Sequence, residues 1–293
     1  MIMSDKLKNF IVRTLSGAVL LLVILGALCI GYYGYLALLL LITLGGVWEF
    51  YNLSKAKEYN PQRGSGIILS LFIYLVGALL GLSFVNSSSN DLLVLSIFAL
   101  CGVVLLVCVI LSAEVFRNRA LPIANVATTL AGAFYVALPI ALMAVVPLLL
   151  VDLCEWKALY FLFYLFLVWG NDVFAYLAGV TMGRHKMCER LSPKKSWEGF
   201  VGGVLGSLVV GVVAACVLNS SYIMWLGLAL VVSLSSVVGD LVESMFKRDA
   251  GVKDSGKIMP GHGGILDRFD AFILAAPFAF IYLLFVVLIN INY

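Results

Sequence analysis

The chain has 293 residues, of which 63% are hydrophobic and only 12% charged, and its mean hydropathy is +1.09. Soluble domains carry about 25% charged residues, so this composition excludes an ordinary soluble fold and predicts an all-α, polytopic integral membrane protein. The formal net charge of +3 is small. Because no Arg-rich tract is interleaved with aromatic residues, nucleic acid is not an expected partner.

Nine apolar segments follow one another along the chain, each close to the ~20 residues that cross the hydrocarbon core. We place them at 14–30, 34–50, 66–85, 92–111, 126–150, 158–180, 198–218, 222–245 and 271–290. The fifth contains Pro139 and Pro147, which should kink this helix or end it early. The polar connections are too short to form separate domains. We therefore expect one membrane domain over residues 1–293.

Basic residues fall on one side of these segments. Eighteen of the 19 Lys and Arg residues lie at the N-terminus or in the connections after segments two, four, six and eight, and Lys157 is the exception. Because cytoplasmic loops are enriched in Lys and Arg, the pattern predicts a cytoplasmic N-terminus and an outside C-terminus. It also places the last two long polar connections on the cytoplasmic face of the cell (inner) membrane.

The most polar stretch runs from residue 239 to residue 270 and holds six of the 16 acidic and five of the 19 basic residues. Asp240 lies within segment eight, where a charge must be paired or bound. Asp267 and Asp270 stand three residues apart at the start of segment nine and should share a helix face. Carboxylate oxygens are ligands of Mg²⁺, which in turn binds phosphates. These three aspartates are therefore candidate metal ligands.

Structural roles are the alternative for two of these aspartates. An aspartate at a helix start, such as Asp267, is also a common N-terminal cap. Asp240 could form a salt bridge with Arg248 or Arg268 instead of binding a metal.

Two further polar motifs flank helix starts. The turn PGHGG at 260–264 places three glycines around His262, and its backbone N–H groups could bind phosphate at the start of segment nine; a flexible turn is the alternative. The stretch SPKKSWEG at 192–199 contains Lys194 and Lys195, followed by the capping-type residue Ser196. It is a candidate phosphate site, although both lysines could simply anchor the helix at the interface.

Asp172 and Glu49 are further acidic residues that lie in apolar segments. Asp172 in segment six is a functional candidate, because charges within the membrane are usually functional. Glu49 ends segment two, and an interfacial anchor is as good an interpretation as a role in a site.

The stretch SMFKRDAGVKDSGKIMPGHGGILDRFD, from Ser244 to Asp270, resembles the conserved motif of the bacterial phosphatidate cytidylyltransferases, or CDP-diacylglycerol synthases. The stretch at 192–199 is similar to a second conserved block of that family, with Ser196 where threonine often stands. The likeness extends to the nine-span layout. It implies a catalytic portion at about 158–290.

The resemblance implies the reaction CTP + phosphatidate → CDP-diacylglycerol + diphosphate. It also implies Mg²⁺, a second cation such as K⁺, lipid taken from the bilayer, and a homodimer. The catalytic residues would be Asp240, Asp267, Asp270 and Lys195, with the three aspartates holding Mg²⁺. Residues that would bind substrate phosphates are Ser192, Lys194, Lys195, Ser244, Lys247, Arg248, His262, Gly263, Gly264 and Arg268.

Three other functions are alternatives, and the residues argue against the first two of them. A CDP-alcohol phosphotransferase should carry a DGxxAR motif, but here Asp267 is followed by Arg268 and Phe269. An ion-coupled transporter should spread its acidic residues across the membrane, whereas here they cluster at one face. A CTP-dependent lipid kinase would use the same nucleotide with a hydroxyl acceptor, and only a substrate test separates it.

Overall fold

The structure, a computed structural model, describes residues 5–55, 58–86, 90–151, 155–261 and 263–291, and this part of the chain is mostly helical. Its helices are α1 (Asp5–Cys29), α2 (Tyr32–Ser54), α3 (Arg63–Val85), α4 (Asn90–Arg117), α5 (Pro122–Gly132), α6 (Leu138–Leu149), α7 (Ala158–Met182), α8 (Trp197–Leu218), α9 (Tyr222–Asp249) and α10 (Leu266–Ile291). A hairpin of two short strands, β1 (Lys186–Cys188) and β2 (Ser192–Ser196), separates α7 from α8.

Within the described ranges, nine helical stretches are long and apolar enough to cross a membrane, and this confirms the predicted number. Each predicted segment overlaps one of them. The largest difference is in the fourth, which runs from Asn90 to Arg117 rather than over 92–111. Its additional turn contains Glu114, a buried polar residue that helps to hold the helix in place.

The fifth span is built from α5, a π-helical turn (Ala133–Ala137) and α6. Pro139 follows this turn directly, and Pro147 lies inside α6. A proline cannot donate to the carbonyl four residues earlier and clashes with it, and a π turn is one of the few ways in which a helix absorbs such a break. The span therefore does not end early at its prolines, but continues to Leu149.

The β1–β2 hairpin corrects the all-α prediction. The strands pair antiparallel, with Lys186 opposite Ser196 and Cys188 opposite Ser192. Pro193 is tolerated in β2 because each strand of a two-stranded sheet is an edge strand. The predicted cap at Ser196 is confirmed, since its side chain accepts a hydrogen bond of 3.1 Å from the Gly199 N–H at the start of α8.

By its internal contacts the chain divides into two compact units. The first unit contains residues 1–83, 89–141 and 249–269, as far as they are described, and the second contains residues 84–88, 142–248 and 270–293. The single membrane domain and the catalytic portion at 158–290 stay predictions.

A buried polar network closes one end of the first unit. The Glu114 carboxylate, only 7% exposed, accepts hydrogen bonds from the Gln62 and Asn125 side-chain amides at 2.8 and 2.9 Å. It also pairs with the Arg117 guanidinium at 2.7 Å. The amide of Gln62 donates further to the Ile110 carbonyl at 2.8 Å. Buried polar groups satisfied in this way hold the helix ends in one arrangement.

Replacing Glu114 with alanine should lower the free energy of unfolding by about 3 kcal/mol, because it leaves the partners of a buried carboxylate without their acceptor. Unfolding in detergent, followed by circular dichroism, measures this loss. Ser112, which is exposed on the same helix, serves as control: alanine there should change stability by less than about 0.5 kcal/mol. Equal stability of the two variants would contradict the role of the network.

In the second unit, α7 and α8 pack through small residues. A Cβ added at Gly202 would clash with Ala178, one at Gly203 would lie 2.7 Å from the Asn171 side-chain oxygen, and one at Gly206 would clash with Phe174. The glycines of α8 are therefore needed for the backbones to approach, as is common between membrane helices. This packing supports the hairpin that joins the two helices.

Candidate active site

Three carboxylates come together in the second unit. Asp240 and Glu243 lie on α9 and Asp270 lies on α10, and one oxygen from each falls within 4.8 Å of the others. The two residues on α9 are three positions apart, so they share a helix face. Of the three predicted metal ligands, the structure thus brings Asp240 and Asp270 together and adds Glu243.

Gly239 allows α9 and α10 to approach at this point. A Cβ at residue 239 would lie 2.7 Å from the Asp270 carbonyl oxygen and 3.0 Å from the Leu274 Cβ. Such distances are shorter than van der Waals contact, so only glycine lets the two backbones meet here. The close approach explains why the carboxylates that follow Gly239 and precede Leu274 can gather in one place.

Two lysines flank the carboxylates. The Lys195 ammonium lies 2.7 Å from an Asp240 oxygen and 3.4 Å from the Val237 carbonyl, and Lys247 forms an ion pair with Glu243 one turn away on α9. Three carboxylates and two ammonium groups leave one formal negative charge when all are ionised. Because carboxylates held this close repel one another, the cluster favours a further cation.

The site runs from a buried to an accessible side. Glu243 is completely buried, whereas the Asp240 side chain is 40% exposed and Lys195 is 24% exposed. Ser244 donates to the second Asp240 oxygen at 3.4 Å. Oxygen donors of this kind suit a hard divalent cation that keeps some of its coordination positions for water or phosphate. The residues present therefore fit Mg²⁺.

Asp267 lies in the first turn of α10 and has its described partners in the first unit. One of its oxygens accepts hydrogen bonds from the Ser255 N–H at 2.8 Å, the Ser255 hydroxyl at 2.9 Å and the Gly264 N–H at 2.7 Å. These donors lie in the loop before α10, whereas a helix cap accepts from N–H groups of the first helical turn, so these contacts tie Asp267 to the loop. The role of Asp267 as a metal ligand stays a prediction.

Glu49 of α2 caps the same helix start. Its two oxygens accept from the Ile265 N–H at 3.0 Å and the Leu266 N–H at 2.9 Å, and the Ser255 hydroxyl lies 3.1 Å away. The Gly263 N–H bonds to the Met259 carbonyl at 3.1 Å. Of the N–H groups predicted to bind phosphate, those of Gly263 and Gly264 therefore already have acceptors in the protein.

The remaining predicted site residues are divided between the two units. In the second unit, Ser192 begins β2 opposite Cys188, Lys194 is exposed on the same strand, and Arg248 is exposed at the end of α9. In the first unit, Arg268 is exposed in the first turn of α10. His262 lies outside the described residues.

Three features of the site were not predicted from the sequence: the place of Glu243 in the carboxylate cluster, the contacts of Glu49, and the ion pair between Asp240 and Lys195. Glu243 was not among the predicted metal ligands, although its i, i+3 spacing from Asp240 could have suggested a shared site. Glu49 had no sequence signal for its partners, which lie more than 200 positions away. The ion partner of Asp240 is Lys195, whereas Arg248 and Arg268 had been considered.

The chain matches the model of the cytidylyltransferase family over residues 11–286. It is 33% identical to a phosphatidate cytidylyltransferase of Synechocystis sp., in an alignment that covers 95% of this chain and 98% of that protein. It is 49% identical to the phosphatidate cytidylyltransferase of Staphylococcus aureus (strain COL) and 50% identical to that of Staphylococcus saprophyticus, over 124 and 120 residues. These staphylococcal alignments span about half of the relatives' length, at 48% and 46%.

Proposed function

The chain belongs to the cytidylyltransferase family, and we propose that it transfers the cytidylyl group of CTP to phosphatidate, forming CDP-diacylglycerol and releasing diphosphate. Family membership carries this proposal. The acidic cluster flanked by lysines supports it, because two anionic substrates can meet only where positive charge offsets their repulsion. An ion-coupled transporter gains no support from the family match.

In the proposed reaction, a phosphate oxygen of phosphatidate forms a bond to the α-phosphorus of CTP, and the bond from that phosphorus to the β-phosphate bridging oxygen breaks. The attacking oxygen is already ionised at neutral pH, so no general base is required. Lys195, at the accessible side of the cluster, would bind a substrate phosphate. Lys247 would hold Glu243 in place.

The metal belongs to the same proposal. Asp240, Glu243 and Asp270 would hold Mg²⁺, with Asp267 as a further ligand implied by the family motif and a second cation such as K⁺ nearby. When bound, Mg²⁺ would neutralise charge on the attacking and leaving oxygens. Lys194, Lys247, Arg248 and Arg268, which the resemblance implies as phosphate-binding residues, would meet the remaining phosphate charge.

An apolar pocket in the first unit suits a lipid substrate. It has a volume of about 530 Å³ and is lined by side chains of α1, α2 and the segment before α10, among them Leu20, Leu41, Met259 and Phe269. Ligand pockets of this size and apolar character are typical of small-molecule sites.

The membrane arrangement is part of the proposal. The nine apolar helices found among the described residues and the strong Lys and Arg asymmetry support a multi-pass protein of the inner membrane, with its N-terminus and active site facing the cytoplasm and its C-terminus outside. CTP would enter from the cytoplasm and phosphatidate from the bilayer. A homodimer, as the resemblance implies, completes the proposal.

The proposed reaction can be tested by measuring whether the labelled α-phosphate of CTP is transferred to lipid. Purified protein in detergent micelles with phosphatidate, Mg²⁺ and CTP labelled at the α-phosphate should give a labelled liponucleotide and one diphosphate per product. Diacylglycerol in place of phosphatidate should give no product. Label reaching lipid only from the γ-phosphate would show a lipid kinase, and no lipid label from either position would refute the transferase.

A further inference from the structure

The carboxylate of Glu49 occupies an unusual position for an acidic side chain. It is 2% exposed, and it lies at the start of α10, where the first backbone N–H groups have no partner within the helix. Both of its oxygens are used, one for Ile265 and one for Leu266. A buried charge that accepts several backbone hydrogen bonds is strongly held and in turn fixes the backbone that donates to it.

The surrounding loop is shaped to admit this carboxylate. A Cβ added at Gly256 or at Gly264 would clash with a Glu49 oxygen. Both glycines belong to the polar stretch that carries the family motif. Their lack of a side chain is therefore required for Glu49 to reach the helix start.

Ser255 connects Glu49 with Asp267. Its hydroxyl lies 3.1 Å from a Glu49 oxygen and 2.9 Å from the Asp267 oxygen, and its N–H donates to that same Asp267 oxygen at 2.8 Å. The two carboxylates thus share one serine, and the Gly264 N–H supports Asp267 from the other side at 2.7 Å. Moving Glu49 would release the N–H groups of Ile265 and Leu266 and would take one partner from the Ser255 hydroxyl, which also contacts Asp267.

We propose that Glu49 is a positioning residue for the proposed transferase, which fixes the 255–266 loop and, through Ser255, the carboxylate of Asp267. It contacts no substrate in this proposal. The inference rests on the proposed function, because that function takes Asp267 as a metal ligand. Its effect on the loop, however, can be measured without substrate.

Glu49→Gln is the first test, since glutamine keeps the size of the side chain but replaces one acceptor oxygen with a donor NH₂ group. Either Ile265 or Leu266 then loses its acceptor. In the absence of Mg²⁺ and CTP, amide hydrogen exchange of the peptide covering 258–269 should become about tenfold faster, as expected for the loss of a charge-assisted hydrogen bond. Exchange at the wild-type rate would overturn the proposal.

Glu114→Gln is the matched control. Glu114 is also a buried glutamate of the first unit that accepts several hydrogen bonds, but its partners lie outside the 255–266 loop. Its replacement should leave exchange over 258–269 unchanged. Equal acceleration in both variants would reduce Glu49 to a general stability residue and would overturn the proposal.

Ser255→Ala tests the step from Glu49 to Asp267 and remains informative if Glu49→Gln fails to fold. It removes the shared hydroxyl but leaves both Glu49 contacts with the backbone in place. The Mg²⁺ concentration for half-maximal activity should rise several-fold, with little change in the KM for CTP. An unchanged Mg²⁺ dependence would overturn the link to Asp267, whereas an inactive wild type would refute the proposed function and leave the exchange result standing.

Discussion

Asp240→Asn is expected to lower kcat for liponucleotide formation by about 10³-fold, the size of effect seen when one well-placed electrostatic group is removed from an active site. Asparagine has nearly the same shape but brings no negative charge, so the three-carboxylate cluster loses its most exposed member. Lys195 loses its 2.7 Å ion partner at the same time. Initial rates over a range of free Mg²⁺ concentrations measure the effect, and saturating Mg²⁺ should not restore it.

The protein itself should remain folded in this variant. The Asp240 side chain is 40% exposed, and removing one of three neighbouring negative charges relieves repulsion. Asp91→Asn is the control, because Asp91 is an exposed acidic residue in the first turn of α4, outside the cluster, and its activity should stay within about twofold of wild type. Near-normal turnover by Asp240→Asn would remove Asp240 from the proposed metal site.

Lys195→Met should lower kcat/KM for CTP by about 100-fold, because the methionine side chain has a similar length but no charge to offer a phosphate. Lys195 is also the ion partner of Asp240, so its loss leaves the carboxylate cluster with less positive charge. Kinetics with CTP varied at saturating phosphatidate measure the change. An increase in KM with unchanged kcat would instead show that Lys195 binds the nucleotide equally in the ground state and in the transition state.

Lys194→Met is the matched control for this experiment. The two lysines are adjacent on β2, where successive side chains point to opposite faces; Lys194 is exposed, whereas Lys195 reaches Asp240. Lys194→Met should therefore reduce kcat/KM by no more than about threefold, as for a surface charge that contributes through weak screened attraction. Equal losses of kcat/KM in the two variants would contradict the interpretation that β2 directs only Lys195 toward the carboxylate cluster.

The spans and the acidic cluster were largely predictable from the sequence, for physical reasons. An uninterrupted apolar run of about 20 residues can hardly form anything but a membrane-crossing helix. Asp240 stood out because a charge within such a run is rarely left without a function. Ser196 could be recognised as a cap because a hydroxyl before a helix satisfies an otherwise unpaired N–H.

The hairpin and the role of Glu49 could not be predicted in the same way. Strands of three and five residues contain too few positions to show an alternating pattern, and Pro193 argued against a strand. Glu49 acts on residues more than 200 positions later, and pairing at such separation leaves no trace in one sequence. That Lys195 contacts Asp240 whereas Lys194 is exposed likewise depends on strand geometry. The composition of this stretch is typical of a turn and does not indicate a strand.

The contact at Gly239 sets how closely the backbones of α9 and α10 approach, and the three carboxylates of the cluster extend from these two backbones. The coordination of Mg²⁺ is short and rigid, whereas larger ions accept a looser cage. A residue that donates no ligand atom would therefore govern which ion radius the cluster accommodates. The preference for one ion over another would thus depend on having glycine rather than alanine at position 239, as well as on the acidic residues themselves.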